Sequence, residues 1–221
     1  MHRFGYLIIP ILMCVGIPMK EDGSIRLQDR KLDARVENFL ERHESSWRDM
    51  NISMRDGRIL HDLVLDNNYS RALEIGTSTG HSTVWIAWAL SKTGGKLITI
   101  EIDERRYRQA LASIEEAGLS AYVDARLGDA HELVPALEET FDFVFCDADK
   151  GWYKNYLMAV LPKLELGGCF AAHNVRGRRG RGIWGIGEYV TYLESLPFME
   201  TTYETSSWAG IAVSYKRRQN P

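Results

Sequence analysis

The chain of 221 residues has 45% hydrophobic and 26% charged residues and a formal net charge of −3 at pH 7. These values are typical of one globular domain that buries its own core, and they exclude a disordered chain. A weakly acidic chain gives no support to nucleic-acid binding through overall charge, and its three cysteines cannot pair into a closed disulfide set.

Residues 1–20 differ from the rest of the sequence. A short basic start followed by an apolar stretch is consistent with a signal or anchor segment ahead of a single domain over 21–221. Pro10 interrupts this stretch, which is also short for a bilayer span, so a helix that packs on the domain is an alternative. We expect a cytoplasmic or membrane-associated protein, with N-terminal membrane contact or export through this segment as the alternatives.

The domain begins with helical spacing and continues as an alternation of strands and helices. Apolar spacing predicts helices over 27–47 and from Arg55 onward. Short apolar runs then predict strands at 72–75, 96–100, 122–126, 141–146 and 169–172, with helices between them at 82–91, 104–117, 130–137 and 153–161. Such alternation predicts a doubly wound α/β fold with a mostly parallel sheet. Two last strands, at 200–205 and 210–215, predict an antiparallel hairpin at one sheet edge.

The first two predicted strands end in residues suited to a nucleoside ligand, because ligands bind beyond the carboxyl ends of parallel strands. The first strand carries Glu74 and ends in LEIGTSTGHS, where Gly76 and Gly80 allow close backbone approach and the next helix attracts a carboxylate. Glu101 ends the second strand, where a carboxylate accepts hydrogen bonds from ribose hydroxyls. Each feature alone is also explained by a plain turn or a solvated carboxylate. Together they indicate a ligand with a ribose and a carboxylate, such as S-adenosylmethionine.

The fourth and fifth predicted strands end in polar side chains of the kinds that bind metals. Asp147 and Lys150 lie in FVFCDADKGWYKNY after the fourth strand, and His173 and Asn174 end the fifth. Because neighbouring parallel strands share one open edge, Asp147, His173 and Asn174 make a set of oxygen and nitrogen metal ligands. The alternative is a helix cap by Asp147 or Asp149 with Lys150 in solvent.

With these motifs in order, the chain resembles the metal-dependent catechol and caffeoyl-CoA O-methyltransferases. The resemblance runs from about Met50 to the C terminus and lies in MNISMRDGRIL, LEIGTSTGHS, ITIEIDE, DADKGWYKNY and GIAVSYKR. It implies a Rossmann-like methyltransferase fold with seven strands, of which the last is antiparallel. It also implies S-adenosylmethionine as cofactor, a divalent metal, a small phenolic or catechol acceptor, and pairing as a homodimer without a DNA partner.

The resemblance implies a role for each matching residue. The cofactor-binding residues would be Met50, Ile52, Glu74, Gly76, Ser78, Gly80, Ser82, Glu101, Ile102, Asp129, Ala130, His131 and Asp147. The metal would be held by Asp147, His173 and Asn174. Lys150 would act as general base on the attacking hydroxyl, and His173 is the second candidate for a catalytic role.

His173 departs from the family pattern, which usually has Asp-Asn where this chain has His173-Asn174. Loss of a carboxylate weakens a magnesium site, whereas a neutral imidazole favours Mn, Fe, Co, Ni or Zn. Three interpretations remain open. His173 ligates a transition metal, or it acts as a base in a metal-free site, or it is structural in a protein that binds the cofactor without turnover.

An arginine–glycine loop follows the fifth predicted strand over residues 175–182, with four arginines from Arg176 to Arg181. The loop is a candidate for contact with an anionic acceptor, for RNA binding or for a solvated lid, and RNA is the least favoured partner. Trp184 and Trp208 are candidates for an aromatic wall around the acceptor, or for the core.

Overall fold

The computed structural model describes residues 23–45, 47, 50–177 and 185–218. Its helices are α1 (Gly23–His43), α2 (Met54–Asp66), α3 (His81–Thr93), α4 (Glu104–Ala117), α5 (Ala130–Ala136), α6 (Tyr153–Val160) and α7 (Ile186–Glu194). Its strands are β1 (Arg71–Ile75), β2 (Lys96–Glu101), β3 (Val123–Leu127), β4 (Phe141–Cys146), β5 (Leu164–His173), β6 (Met199–Glu204) and β7 (Ile211–Lys216). Short 3₁₀ turns lie at Ser120–Tyr122 and Lys150–Trp152.

The seven strands form one sheet in the order β3-β2-β1-β4-β5-β7-β6. Neighbours from β3 to β5 pair in parallel, whereas β7 pairs antiparallel with both β5 and β6. The predicted doubly wound sheet and its antiparallel last strand are therefore confirmed. The strand order reverses between β1 and β4, and in open α/β sheets such a switch point leaves a crevice at the carboxyl ends of the strands.

Both faces of the sheet are covered by helices, and β4 shows how its sequence achieves this. Phe143 and Phe145 pack into the apolar layer that contains residues of α1 to α4. Val144 and Cys146 point the other way and pack with residues of α5 to α7. A strand buried on both faces reads as an unbroken apolar run, as FVFC does. Because both faces are buried, the strand ends are left to carry the exposed functional side chains.

Capping side chains determine where the helices behind the strands begin. Ser53 caps α2, Asp103 caps α4 and Asp129 caps α5, each by accepting a backbone N–H of the first helical turn. Gly94 and Gly118 end α3 and α4 in the left-handed conformation, with φ of 72° and 80°. Asp103 and Asp129 lie two residues after the ends of β2 and β3, so α4 and α5 begin three residues after those strands.

Strand β5 is longer than the predicted segment 169–172, because it already begins at Leu164. Gly167 and Gly168 lie in its first half, and Gly167 has a φ of +83°. The pairing with β4 also shifts in register between Phe141 and Phe143. Glycines give no inward–outward alternation of side chains, so the start of this strand leaves no periodic signal in the sequence.

Two predicted features lie outside the described residues. These are the signal or anchor segment at 1–20 and the part of the arginine–glycine loop from 178 to 182. Within the described ranges, no helix combines the length and the apolar composition needed to cross a bilayer.

Candidate functional site

A cleft of about 280 Å³ opens at the carboxyl ends of the strands around the switch point. It is lined by nine residues that the sequence predicts for the cofactor: Met50, Gly76, Ser78, Glu101, Ile102, Asp129, Ala130, His131 and Asp147. The prediction missed six lining residues: Ile100, Arg106, Gly128, Ala148, Asp149 and Tyr156. Four of these lie one or two positions from a predicted residue. Tyr156 of α6 ends the motif DADKGWYKNY but was assigned no role there, and Arg106 of α4 lies in no motif.

Gly76 is required by the close approach between the ends of β1 and β4. Its φ is +96°, and an added Cβ would lie 2.6 Å from the carbonyl oxygen of Asp147. Ser78 also has a positive φ, of 50°, which turns its N–H toward Glu101. The turn therefore presents backbone, not side chains, to the cleft beside the start of α3, as a ligand carboxylate requires.

Glu101 is held by the backbone on both carboxylate oxygens. Oε2 accepts the N–H of Ser78 at 2.7 Å, and Oε1 accepts the N–H of Asp103 at 2.8 Å. The side chain is thereby fixed in one position, with only 6% of the residue exposed. A carboxylate has about four acceptor positions, so two remain for the two hydroxyls of a ribose.

Aromatic rings form one wall of the cleft beyond β3. His131 stacks on Trp152 with ring centroids 3.9 Å apart and planes at 20°, and Tyr156 lies 5.8 Å from the same imidazole. Asp129 caps α5 by accepting the N–H of His131 at 2.8 Å. Together with the small side chain of Ala130, this gives a flat surface against which an adenine ring can stack.

Four residues predicted for the cofactor do not line the cleft: Ile52, Glu74, Gly80 and Ser82. Ile52 is buried, and its carbonyl oxygen bonds the Nδ1 of His81 at 3.0 Å, which anchors the segment that bears Met50. Gly80 and Ser82 begin α3 behind the turn, and Ser82 is almost fully buried. These positions act through the shape of the turn rather than through the cleft surface.

Glu74 is fully buried inside β1 and accepts hydroxyl hydrogen bonds from Thr83 at 2.5 Å and Thr99 at 2.6 Å. Burial raises the pKa of its carboxyl group from 4.5 to about 7, although these two hydroxyls lower it in part. Glu74 therefore links β1, β2 and α3 beneath the glycine turn.

Four charged side chains form a continuous chain at the ends of β4 and β5. Lys150 Nζ lies 2.5 Å from Asp147 Oδ1, and His173 Nδ1 lies 2.9 Å from Asp147 Oδ2. The other imidazole nitrogen, Nε2, lies 3.5 Å from Oδ2 of Asp56 in the first turn of α2. We call Asp56, His173, Asp147 and Lys150 the charged chain. Asp147 belongs both to this chain and to the cleft lining, so the two adjoin.

The two carboxylates determine the charge of His173. Burial opposes its protonation, but the hydrogen bonds and charges of Asp147 and Asp56 outweigh burial and raise its pKa from 6.5 to about 9. Burial also disfavours the ionised form of Asp56, yet its hydrogen bonds, first that to His173, lower its pKa from 3.8 to about 2. The pKa of Asp147 is likewise held below its usual value. A protonated imidazole cannot accept a proton, so His173 is a poor general base at neutral pH.

The three predicted metal ligands do not fit a divalent ion in this arrangement. Both oxygens of Asp147 are bonded to cationic groups, and both ring nitrogens of His173 face carboxylates. Asn174 follows with a left-handed φ of 61°. Within the described part of the chain, no group of three or more His, Cys, Asp or Glu side chains is placed to hold a metal. The metal therefore stays a prediction from the sequence.

Tyr153 adds a neutral contact to the charged chain from the first residue of α6. Its hydroxyl accepts from Lys150 Nζ at 2.9 Å and lies 3.0 Å from the carbonyl oxygen of Cys146 and 3.2 Å from that of His173. The phenol is buried, so this contact holds the ends of β4 and β5 and the lysine together. Sequence reasoning missed Tyr153 because a tyrosine at a helix start has no distinguishing pattern.

The hairpin turn between β6 and β7 closes over the charged chain. Arg176 donates to the carbonyl oxygens of Ser207, at 2.9 Å, and Trp208. Ser207 Oγ accepts the N–H of Gly210 at 3.1 Å, and the Ser207 side chain contributes to the lowered pKa of Asp56. Trp208 is 91% exposed, which excludes it from the core and leaves its predicted contact with an aromatic acceptor as a prediction. Trp184 lies outside the described residues.

The family model described as O-methyltransferase matches residues 26–178 of this chain. Catechol O-methyltransferase from Niastella koreensis is 37% identical over 130 residues, which cover 57% of this chain and 58% of that protein. Caffeoyl-CoA O-methyltransferase 1 from Arabidopsis thaliana is 33% identical over 137 residues, which cover 58% of this chain and 51% of that protein. The match thus spans little more than half the length of these curated relatives.

A solved structure resembles nearly the whole fold. The O-methyltransferase TomG from Streptomyces achromogenes, solved in complex with S-adenosylmethionine, superposes with a TM-score of 0.73 at 26% identity. The superposition covers 88% of this chain and 96% of that protein. The likeness therefore extends beyond the segment matched by the curated relatives.

Proposed function

This chain belongs to the O-methyltransferase family, and we propose that it transfers the methyl group of S-adenosylmethionine to a phenolic or catechol-like hydroxyl of a small molecule. The observation that carries the proposal is the contact between two sites. The first site is the cleft with its glycine turn and the doubly anchored Glu101, and the second is the charged chain that contains Lys150. Asp147 belongs to both sites.

The two ends of the cleft support S-adenosylmethionine as the methyl donor. Glu101 has acceptor positions left for the ribose, and the His131–Trp152 stack offers a face to the adenine. The backbone of the turn at Gly76 and Ser78 suits the methionine end, whose carboxylate the start of α3 attracts. Met50 is 72% exposed at the rim of the cleft and reaches Arg106 of α4 through its sulfur at 3.3 Å.

The reaction is an in-line displacement at the sulfonium methyl group. A bond forms between the acceptor oxygen and the methyl carbon, the carbon–sulfur bond breaks, and S-adenosylhomocysteine leaves with the electron pair. Alignment of the two reactants supplies up to about 7–11 kcal/mol of the barrier reduction. The acceptor hydroxyl must also lose its proton, because a phenol ionises only near pH 10.

We assign the proton transfer to Lys150. Its amine adjoins the cleft through Asp147, whereas both ring nitrogens of His173 face carboxylates. Lys150 pairs with Asp147 as a cation in the resting protein, so it must first release its own proton to solvent and then accepts the proton of the phenol as a neutral amine. A positioned base contributes about 10²- to 10⁴-fold to the rate. No step is assigned to a metal, because the oxygens of Asp147 are bonded to Lys150 and His173.

The names of the two curated relatives, catechol and caffeoyl-CoA O-methyltransferase, support an aromatic hydroxyl acceptor. The exposed ring of Trp208, next to Ser207 on the turn between β6 and β7, offers such an acceptor a stacking face. Pairing as a homodimer and N-terminal membrane contact stay predictions from the sequence.

The test is methyl transfer from labelled S-adenosylmethionine to a panel of catechols and simple phenols, with calorimetric measurement of cofactor binding in parallel. We expect turnover on at least one phenol and a loss of about 10²- to 10⁴-fold in kcat for Lys150→Ala, with unchanged cofactor affinity. Lys154→Ala, on α6 near Tyr192, is the matched control and should retain turnover. Lys150→Arg keeps the charge but cannot act as a base, so full activity in this variant would refute the assigned role.

Cofactor binding without transfer to any phenol would overturn the proposed reaction and leave a protein that binds S-adenosylmethionine without turnover. Absence of cofactor binding would overturn the assignment of the cleft itself.

A further inference from the structure

We infer that the charged chain takes the place of a divalent metal in this protein, so that methyl transfer is metal-independent and Asp56 is a positioning residue for it. This inference rests on the proposed function for its catalytic part. Its statement about metal binding stands on the contacts of the chain alone.

The directions of the two hydrogen-bonding contacts of His173 argue against a metal ligand at this position. An imidazole nitrogen has one bonding direction, which lies in the plane of the ring, whether it carries a proton or a lone pair. Nδ1 of His173 is aimed at Asp147 Oδ2, 2.9 Å away, and Nε2 faces Asp56 Oδ2 at 3.5 Å. Each ring nitrogen therefore faces a carboxylate, and neither is directed at a position that an ion could occupy together with Asp147.

The carboxylates of Asp147 and Asp56 are likewise engaged by neighbouring side chains. Asp147 Oδ1 is bonded to Lys150 Nζ at 2.5 Å, and Asp56 Oδ2 also accepts the hydroxyl of Ser53 at 2.7 Å. Among the described residues, Asp56 Oδ1 is a buried oxygen without a hydrogen-bond partner. A hard divalent ion needs several oxygen ligands at once, and one unpartnered oxygen does not provide them.

Burial makes the chain a unit whose members depend on each other. Asp56 is 1% exposed and His173 is 6% exposed. A charge at such a depth is costly without a partner, and removal of one partner leaves the other uncompensated. Asp56 reaches His173 from α2, 117 residues away in the sequence. It thereby fixes the ring that in turn fixes Asp147 at the wall of the cleft.

A metal in such a site would supply positive charge beside the acceptor oxygen and hold Asp147 in place. In this chain Lys150 Nζ and His173 Nδ1 each bond one oxygen of Asp147. The two side chains together hold Asp147 where an ion would hold it, and Asp56 holds the ring of His173 from its other nitrogen.

The first experiment measures metal binding without reference to activity. Thermal unfolding and calorimetry of the full chain are followed after chelation and then with millimolar Mg²⁺, Mn²⁺, Co²⁺ or Zn²⁺. We expect an unchanged Tm and no specific binding heat. In His173→Asp, by contrast, three carboxylates converge, and Mg²⁺ or Mn²⁺ at about 100 times its Kd should raise the Tm by roughly 5 °C or more.

The second experiment measures turnover before and after chelation, together with Asp56→Asn. We expect turnover to survive chelation. Asp56→Asn should lower kcat at least tenfold, because it releases His173 and, through it, Asp147. The KM for S-adenosylmethionine should change little, because Asp56 and His173 do not line the cofactor cleft. Asp62→Asn is the matched control on α2, since Asp62 is exposed and, within the described part of the chain, pairs with its neighbour His61. Asp56→Glu, which retains the charge, should recover part of the lost kcat.

Specific metal binding by the wild-type chain, or activity that is lost on chelation and restored by a metal, would overturn the inference while the proposed function stands. Equal kcat values in Asp56→Asn and Asp62→Asn would overturn the role of Asp56. If no phenol is methylated, the proposed function fails, and the binding measurements still decide whether the chain excludes a metal.

Discussion

Glu74→Gln should change how the stability of the protein depends on pH. Glu74 is fully buried, and its pKa is raised from 4.5 to about 7, chiefly by burial. The folded protein therefore binds this proton more tightly than the unfolded chain. The resulting stabilisation is present below pH 4.5 and is lost as the pH rises through 7. At 1.36 kcal/mol per pKa unit, the full effect is about 3 kcal/mol.

The assay is urea unfolding of the wild type and of Glu74→Gln between pH 4.5 and pH 8. Glutamine retains the acceptor for Thr83 and Thr99 without a proton to lose, so the variant should lack this component of the pH dependence. Relative to the wild type, it should gain about 3 kcal/mol over that range. Glu115→Gln, at an exposed position on α4, should run parallel to the wild type. Parallel curves for Glu74→Gln as well would refute the raised pKa and the assigned burial of the charge.

Two further predictions concern the cofactor cleft and are measured by calorimetry with S-adenosylmethionine. Gly76→Ala should abolish binding, because its Cβ would lie 2.6 Å from the carbonyl oxygen of Asp147, whereas Gly94→Ala, with a positive φ but no atom within 4 Å, should retain it. Glu101→Gln should weaken binding by about 1–3 kcal/mol, since an amide loses charge-assisted acceptors for the backbone and the ribose. Glu104→Gln, at the exposed first residue of α4, should bind the cofactor normally. Equal affinities of Glu101→Gln and Glu104→Gln would contradict the ribose assignment.

The sequence predicts the sheet well because each strand and helix has its own local pattern. An apolar run such as FVFC in β4 and the amphipathic spacing of α4 need no knowledge of distant residues. The start of β5 escapes prediction because Gly167 and Gly168 contribute no side chains to an alternating pattern. Periodicity therefore predicts which elements exist better than it predicts their bounds.

The cleft is predictable only where function leaves a motif at a strand end. Gly76 and Glu101 follow or end their strands, and both line the cleft. Arg106 reaches it from α4 through packing that no local pattern encodes. Tyr156 reaches it from α6 at the end of DADKGWYKNY, a motif that does not indicate which of its side chains face the cleft. Asp56 escaped for a different reason. It lies within MNISMRDGRIL, but an acid in the first turn of a helix is already explained by the helix dipole, so the motif did not mark Asp56 for a role of its own.

Charge balance explains why Asp56 and His173 belong together. Asp147 and a second carboxylate at position 173, as in the family pattern, would carry two negative charges that a divalent ion neutralises. In this chain Asp147 and Asp56 carry the two negative charges, and Lys150 and the protonated His173 neutralise them. Replacement of the carboxylate by histidine alone would add a buried positive charge, which is costly without a partner. The carboxylate on α2 offsets that cost, so under the inferred replacement of the metal His173 is one member of a balanced set rather than a damaged metal ligand.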